Sequence, residues 1–280
     1  MSQEWAIDFE FGLQQLNNFM FEVSNSEKID FSARRESSMP AIISAEGQLI
    51  TRGADFKNSL PGSILHLKMS GTMRSEDGLC SRGINSLITD MYDGFSTKNI
   101  DGIFMEVDSG GGESAAGHKL HNAMLDKNKP VLVFGHRSGS AAVMGTLAAD
   151  EIVGAGPSSE FGSVGTYISL DKKFIEWYKE NVEDIYADVS GDKNGAFRAK
   201  INGDSEPLRK MVTKHAKMFQ SEVAKYRGLT GSDEYKEKTL SGGMFYANEA
   251  KNRGLIDYIG TKNDALRRLR SHINYSKKNK

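Results

Sequence analysis

Two short segments carry residues whose types and spacing suit chemistry: Asp108-Ser109-Gly110-Gly111-Gly112 and Gly139-Ser140-Ala141-Ala142. Three consecutive glycines let backbone N–H groups converge on one concavity, because no Cβ blocks the approach. Such a nest can hold a developing oxyanion or a phosphate, but the Gly-Lys-Ser/Thr ending of a phosphate-binding P-loop does not follow. A plain tight turn is the other reading of the same glycines. Ser140 stands where a loop feeds a helix of small residues. It reads either as the N-cap of that helix or as a nucleophile that gains from the helix's partial positive charge. Ala141 and Ala142 leave room for a substrate backbone to come close.

The elements that must position these residues follow from periodicity. From Gly62 onward strands alternate with helices: strand 64–69, helix 83–95, strand 100–107 ending in the glycine turn, helix 114–126, strand 131–134, helix 140–149, strands 151–153 and 163–170. This spacing predicts an α/β fold of parallel βα units. A helix is expected over 171–181, with Phe174, Ile175, Trp177 and Tyr178 as its apolar face. A long helix is expected over 206–226, with Leu208, Met211, His215, Phe219 and Val223 near one side. In residues 1–25, Phe9, Leu13, Leu16 and Met20 make a helical stripe. We divide the chain into an N-terminal extension (1–60), a main domain (61–262) and a basic tail (263–280) read as solvated. The extension is either an arm to neighbouring subunits or a helix packed on its own domain.

Composition narrows the function classes. The 280 residues are 38% hydrophobic and 26% charged with a formal net charge of −1, so bulk electrostatics gives no reason to expect nucleic acid or an anionic membrane. One cysteine, Cys80, excludes an intramolecular disulfide and a multi-cysteine zinc site, and reads as packing. No cofactor or metal is expected. The start of the chain lacks the pattern of a secretory signal, and no window approaches a membrane-spanning length of apolar residues. The expectation is a soluble, cytoplasmic protein without a membrane anchor.

From Gly62 to Gly260 the chain resembles the signal peptide peptidase A family (peptidase family S49), including its phage head-maturation branch. The resemblance rests on DSGGGE (108–113), SGSAA (138–142) followed by AADEIV (148–153), FGSVG (161–165) and SGGMFYANEAKNRGLIDYIG (241–260). It implies a crotonase/Clp-protease-like fold of repeated ββα units and a serine endopeptidase using a Ser-Lys dyad. Position by position, Ser140 matches the nucleophile, Gly111 an oxyanion N–H beside Gly110, and Ser163 a serine that orients the base. The sequence departs from the pattern at Gly110, where the family often has proline, and at Ala141 and Ala142, where it has glycines. The first departure loosens the oxyanion turn; neither removes a reacting atom.

The base is a lysine by the same resemblance. No histidine lies between His136 and His215, the interval in which a Clp-type triad places its own. A gap-free count from FGSVG lands on Lys193, and Lys200 in AFRAKINGD is the alternative base. A lysine acting as base must be held by burial well below its ordinary value of about 10.4. Asp192 acts in the opposite sense if its carboxylate faces the amine.

The resemblance further implies a peptide or protein substrate and a homo-oligomeric ring whose neighbours can complete the site. A phage prohead protease acting on scaffold or capsid proteins, in the host cytoplasm or the prohead, fits the N-terminal extension and basic tail. A soluble bacterial signal peptide peptidase is the alternative. A crotonase-type acyl-CoA hydratase or isomerase leaves Ser140 and the lysine unexplained, and a non-catalytic structural protein keeps the fold without the chemistry.

Overall fold

The computed structural model describes residues 5–7, 38–52, 59–78, 82–229 and 234–279. In chain order the strands are β1 (Trp5–Ile7), β2 (Ala41–Ile43), β3 (Leu49–Arg52), β4 (Ser63–Ser70), β5 (Ile100–Ser109), β6 (Gly111–Glu113), β7 (Val131–Gly139), β8 (Glu151–Gly154), β9 (Glu160–Gly162), β10 (Met244–Tyr246) and β11 (Tyr258–Ile259). The helices are α1 (Ile84–Ser96), α2 (Ser114–Leu125), α3 (Ala141–Thr146), α4 (Lys172–Asn181), α5 (Gly195–Ile201), α6 (Glu206–Tyr226), α7 (Glu234–Leu240), α8 (Ala247–Asn252) and α9 (Lys262–Lys278).

Strands β4, β5 and β7 run parallel at the centre of a nine-stranded sheet of order β10-β9-β7-β5-β4-β2-β3, with β8 paired to β7 and β11 to β8. This is the α/β class expected from the alternating pattern. The central strands are apolar on both faces, as buried parallel strands must be. Odd-numbered Leu65, Leu67, Ile103, Met105, Val131 and Val133 join one core with α1, α2 and α3. Even-numbered Ile64, Phe104, Leu132 and Phe134 join a second core with Ala265, Leu269 and Ile273 of α9. The two-residue alternation of a strand thus splits one sequence between two cores.

The second core changes two expectations. Residues 262–278 are a packed helix rather than a solvated tail. Their Arg and Lys residues lie outside the stripe Ala265, Leu269 and Ile273, and a Thr261/Asp264 capping box starts the helix. Residues 41–52 lie within the sheet rather than in an extension, with β2 antiparallel to β4. The expected strand 163–170 is absent. The strand there is β9, three residues long, ending before Ser163. Cys80 and the stripe Phe9, Leu13, Leu16 and Met20 lie outside the described residues. No helix among the described residues is long and apolar enough to cross a membrane.

Candidate active site

Strand β7 runs on past its expected end to Gly139, and the chain turns at Ser140 into α3. Ser140 has φ 52° and ψ −114°, a conformation that an L-residue rarely adopts. A side chain kept there costs on the order of 1–3 kcal/mol, so surrounding contacts must enforce it. Two do so visibly. The Ser140 N–H donates to the Gly162 carbonyl at 2.9 Å, and the Met144 N–H donates to the Ser140 carbonyl at 3.1 Å. Ser140 is 1% exposed, and its Oγ lies 3.4 Å from the Gly165 carbonyl, a long hydrogen bond. Its side chain makes no capping bond to α3, so the N-cap reading of this serine lacks the bond that defines it.

The glycine turn closes on the same place. A Cβ on Gly139 would lie 3.1–3.3 Å from backbone atoms of Gly110, and one on Gly117 would lie 2.8 Å from the Ala141 carbonyl oxygen. Small residues at these positions let the turn, α2 and α3 meet. Gly111 has φ +100°, as a glycine in such a turn can. Its N–H donates to Ser109 Oγ at 3.1 Å, and Ser109 Oγ donates to the Gly71 carbonyl at 2.6 Å. The candidate oxyanion donor is therefore engaged by a buried hydroxyl. Gly111 and Glu113 also bond Met73 through backbone groups, fixing one edge of β6.

Ser163 follows Gly162, in the loop whose carbonyls accept from Ser140. It too has positive φ, 54°, and its N–H donates to the Gly243 carbonyl at 2.7 Å. Gly162 before it passes so close to Gly243 that a Cβ would sit 2.2 Å from that carbonyl oxygen. Residues 162–165 and 243 thus form one backbone platform against Ser140.

The lysines stand apart from this cluster. Lys200 Nζ donates to Ser205 Oγ at 2.9 Å, and Lys193 lies in an exposed turn before α5. No hydrogen bond among the described residues joins either lysine to Ser140. Both belong to an arm, residues 167–201, whose helices α4 and α5 have no buried residue. Trp177 is 53%, Ile185 91% and Val189 95% exposed along it.

Residues 123–276, more than half of the chain, match the family model described as peptidase family S49. The chain belongs to peptidase family S49. The match takes in Ser140, Ser163, Lys193 and Lys200 and begins after the Gly110–Gly111 turn. A candidate protease of Methanocaldococcus jannaschii is 34% identical over 183 residues, covering 64% of this S49 chain and 58% of the relative. The chain thus spans little more than half the length of that curated relative. Among solved structures it is similar to a substituted ClpP1 from Listeria monocytogenes (TM-score 0.47, 19% identity) and to ClpP1 from the same organism (TM-score 0.45, 17% identity). Each of these matches covers 72% of this chain and 94% of the other.

The structure brings together Ser140, Ser163, Gly110 and Gly111, which the sequence singled out, and adds Ser109 and the carbonyls of Gly162 and Gly165, which it did not. Ser109 was inside the DSGGG motif. Its role depends on where Gly71 lies, 38 residues earlier, and spacing does not carry that information.

Proposed function

We propose that this S49 chain is a serine endopeptidase in which Ser140 attacks a peptide carbonyl. The observation that carries the reading is the strained, buried serine at a strand-to-helix turn, held between a glycine turn and a backbone platform. Such a turn presents a side-chain oxygen at the top of a sheet. A lysine takes the Ser140 proton as the Oγ–carbon bond forms, and returns it to the leaving amine as the peptide C–N bond breaks. Water, deprotonated by the same lysine, then releases the acyl group from Ser140. The tetrahedral oxyanion is held by N–H groups of the Gly110–Gly111 turn. A charged oxyanion is a stronger acceptor than the Ser109 hydroxyl and so competes for the Gly111 N–H. Ser163 keeps its assigned place as an orienting serine beside the base.

Lys193 is our base, with Lys200 as the alternative, delivered from a neighbouring copy of the chain. The exposed apolar residues of the arm support this, since a monomer leaves Trp177, Ile185 and Val189 in water. A ring of copies covers them and brings a lysine to each serine. The substrate reading is a phage scaffold or capsid protein, with signal peptides as the alternative; it rests on likeness within the family. The test is labelling with a serine-reactive fluorophosphonate. Native protein should label at Ser140, and Ser140→Ala, folded by melting temperature, should not label at all. Equal labelling of the two would remove the proposed nucleophile.

A further inference from the structure

Strand β6 has two edges. Met73 holds one, through its N–H to the Gly111 carbonyl at 2.8 Å and its carbonyl to the Glu113 N–H at 2.9 Å. Backbone groups alternate in direction along a strand, so the Gly112 N–H and carbonyl face the other edge. That edge starts beside Gly110, whose backbone packs against Gly139, the residue before Ser140. An extended peptide lying along it would run past the nucleophile, the geometry by which strand addition delivers peptides.

The edge is occupied by this chain's own β1. Trp5 stands opposite Glu113, Ala6 opposite Gly112 and Ile7 opposite Gly111, antiparallel. The pair forms a sheet of its own, and β1 has no other strand neighbour among the described residues. A three-residue pairing of this kind is weak, because isolated two-stranded ribbons are marginal in water. It can cover the edge and still leave.

Building on the peptidase reading, we propose that Trp5–Ile7 is an internal competitor: it occupies the substrate-binding edge of β6, and an extended substrate enters only when this strand is displaced. The occupant is recognised through its backbone, as any extended peptide would be. The competition lowers apparent substrate affinity by the fraction of chains with the edge open.

Register gives the test. Ala6 faces Gly112, so Ala6→Pro removes the N–H that the pairing needs. The Ile7 N–H points away from β6, and proline at 7 favours an extended residue 6, so Ile7→Pro should leave the pairing intact. Each full-length variant, in a Ser140→Ala background, is titrated with a fluorescent peptide of residues 1–10 by anisotropy. Hydrogen exchange of the Gly112 amide, the one that faces β1, is followed in the same samples. Ala6→Pro should bind the peptide about tenfold tighter than the parent or better. It should also exchange faster at the Gly112 amide, while Ile7→Pro behaves as the parent does. Equal peptide affinity in parent and Ala6→Pro overturns the proposal. So does unprotected exchange of the Gly112 amide in the parent, a readout that needs no variant to fold. None of these measurements needs catalysis. A failure of Ser140 to label would therefore bring down the peptidase reading and leave the strand result standing.

Discussion

The cluster around Ser140 and the arm over 167–201 are built on opposite principles. Around the serine, Gly110, Gly117 and Gly139 bring backbones within van der Waals contact, and Ala141, Ala142, Val143 and Met144 are all buried. Along the arm no helical residue is buried, and its aromatic contacts are among its own members, such as Phe174 on Trp177 and Tyr178 on Phe197. One region is complete within a chain. The other has the composition of an interface and no partner in a single copy. In the proposed enzyme, nucleophile and oxyanion turn come from the first region and the base from the second.

The largest effect expected of this division is complementation. Ser140→Ala and Lys193→Ala proteins should each be inactive on a casein-type substrate. Mixed and allowed to exchange subunits, they should recover measurable turnover, because some sites then pair a native serine with a native lysine. No recovery under proven subunit exchange would place serine and base in one chain. An active Lys193→Ala protein beside a Lys200→Ala protein that is inactive alone and complemented by Ser140→Ala would name the other lysine.

The next effect is on stability. Phe161 is fully buried, and a Cβ on Gly135 would lie 2.6 Å from its ring. Phe161→Ala should cost about 3–5 kcal/mol in denaturant unfolding. Trp177→Ala in the arm should leave a dilute monomer's stability within about 0.5 kcal/mol, as for an exposed substitution. It should instead weaken assembly in sedimentation velocity. A large stability loss from Trp177→Ala would mean that the arm packs on its own chain.

The smallest effect is with pH, and it arises away from the arm. A hydrogen bond from His66 at 3.0 Å and the Lys262 ammonium at 2.8 Å hold the Glu106 carboxyl well below its usual range, against the opposing effect of burial. Burial pushes the His118 and His121 imidazoles below theirs. In the unfolded chain these histidines take up protons near pH 6.5, sooner than in the fold, so stability falls as pH drops below about 6.5. Glu106 contributes stability above the unfolded carboxylate value of about 4.3, and loses it as pH falls through the lowered folded value. Melting temperature against pH should therefore fall in two stages, and Glu106→Gln should flatten the lower one. A flat profile from pH 7 to 5 would contradict the histidine reading.

The central sheet was legible because buried parallel strands are short apolar runs between glycine-rich turns, as in Ile100–Ser109 and Val131–Gly139. Helix α6 was legible from end to end because Leu208, Phe219 and Val223 recur at helical spacing. Residues 163–170 misled because an alternating apolar pattern appears whether or not a neighbouring strand exists to pair with it. Residues 262–278 misled because six Arg and Lys residues and His272 mask a three-residue stripe that only a sheet beneath it makes meaningful. At the candidate site, the glycine turn and Ser140 stood out in the sequence, and their engagement did not. The glycines of DSGGG announced themselves, but the hydroxyl occupying the Gly111 N–H comes from tertiary placement.

The backbone at position 140 has a consequence for how this chain can change. Its positive φ suits glycine, which would occupy the turn without a Cβ and without a hydroxyl. The residue most comfortable there is the one that can do no chemistry. On the proposed reading, selection for expression or thermal tolerance alone would drift toward inactive chains at this position, and a glycine here would leave a well-folded relic rather than a damaged protein.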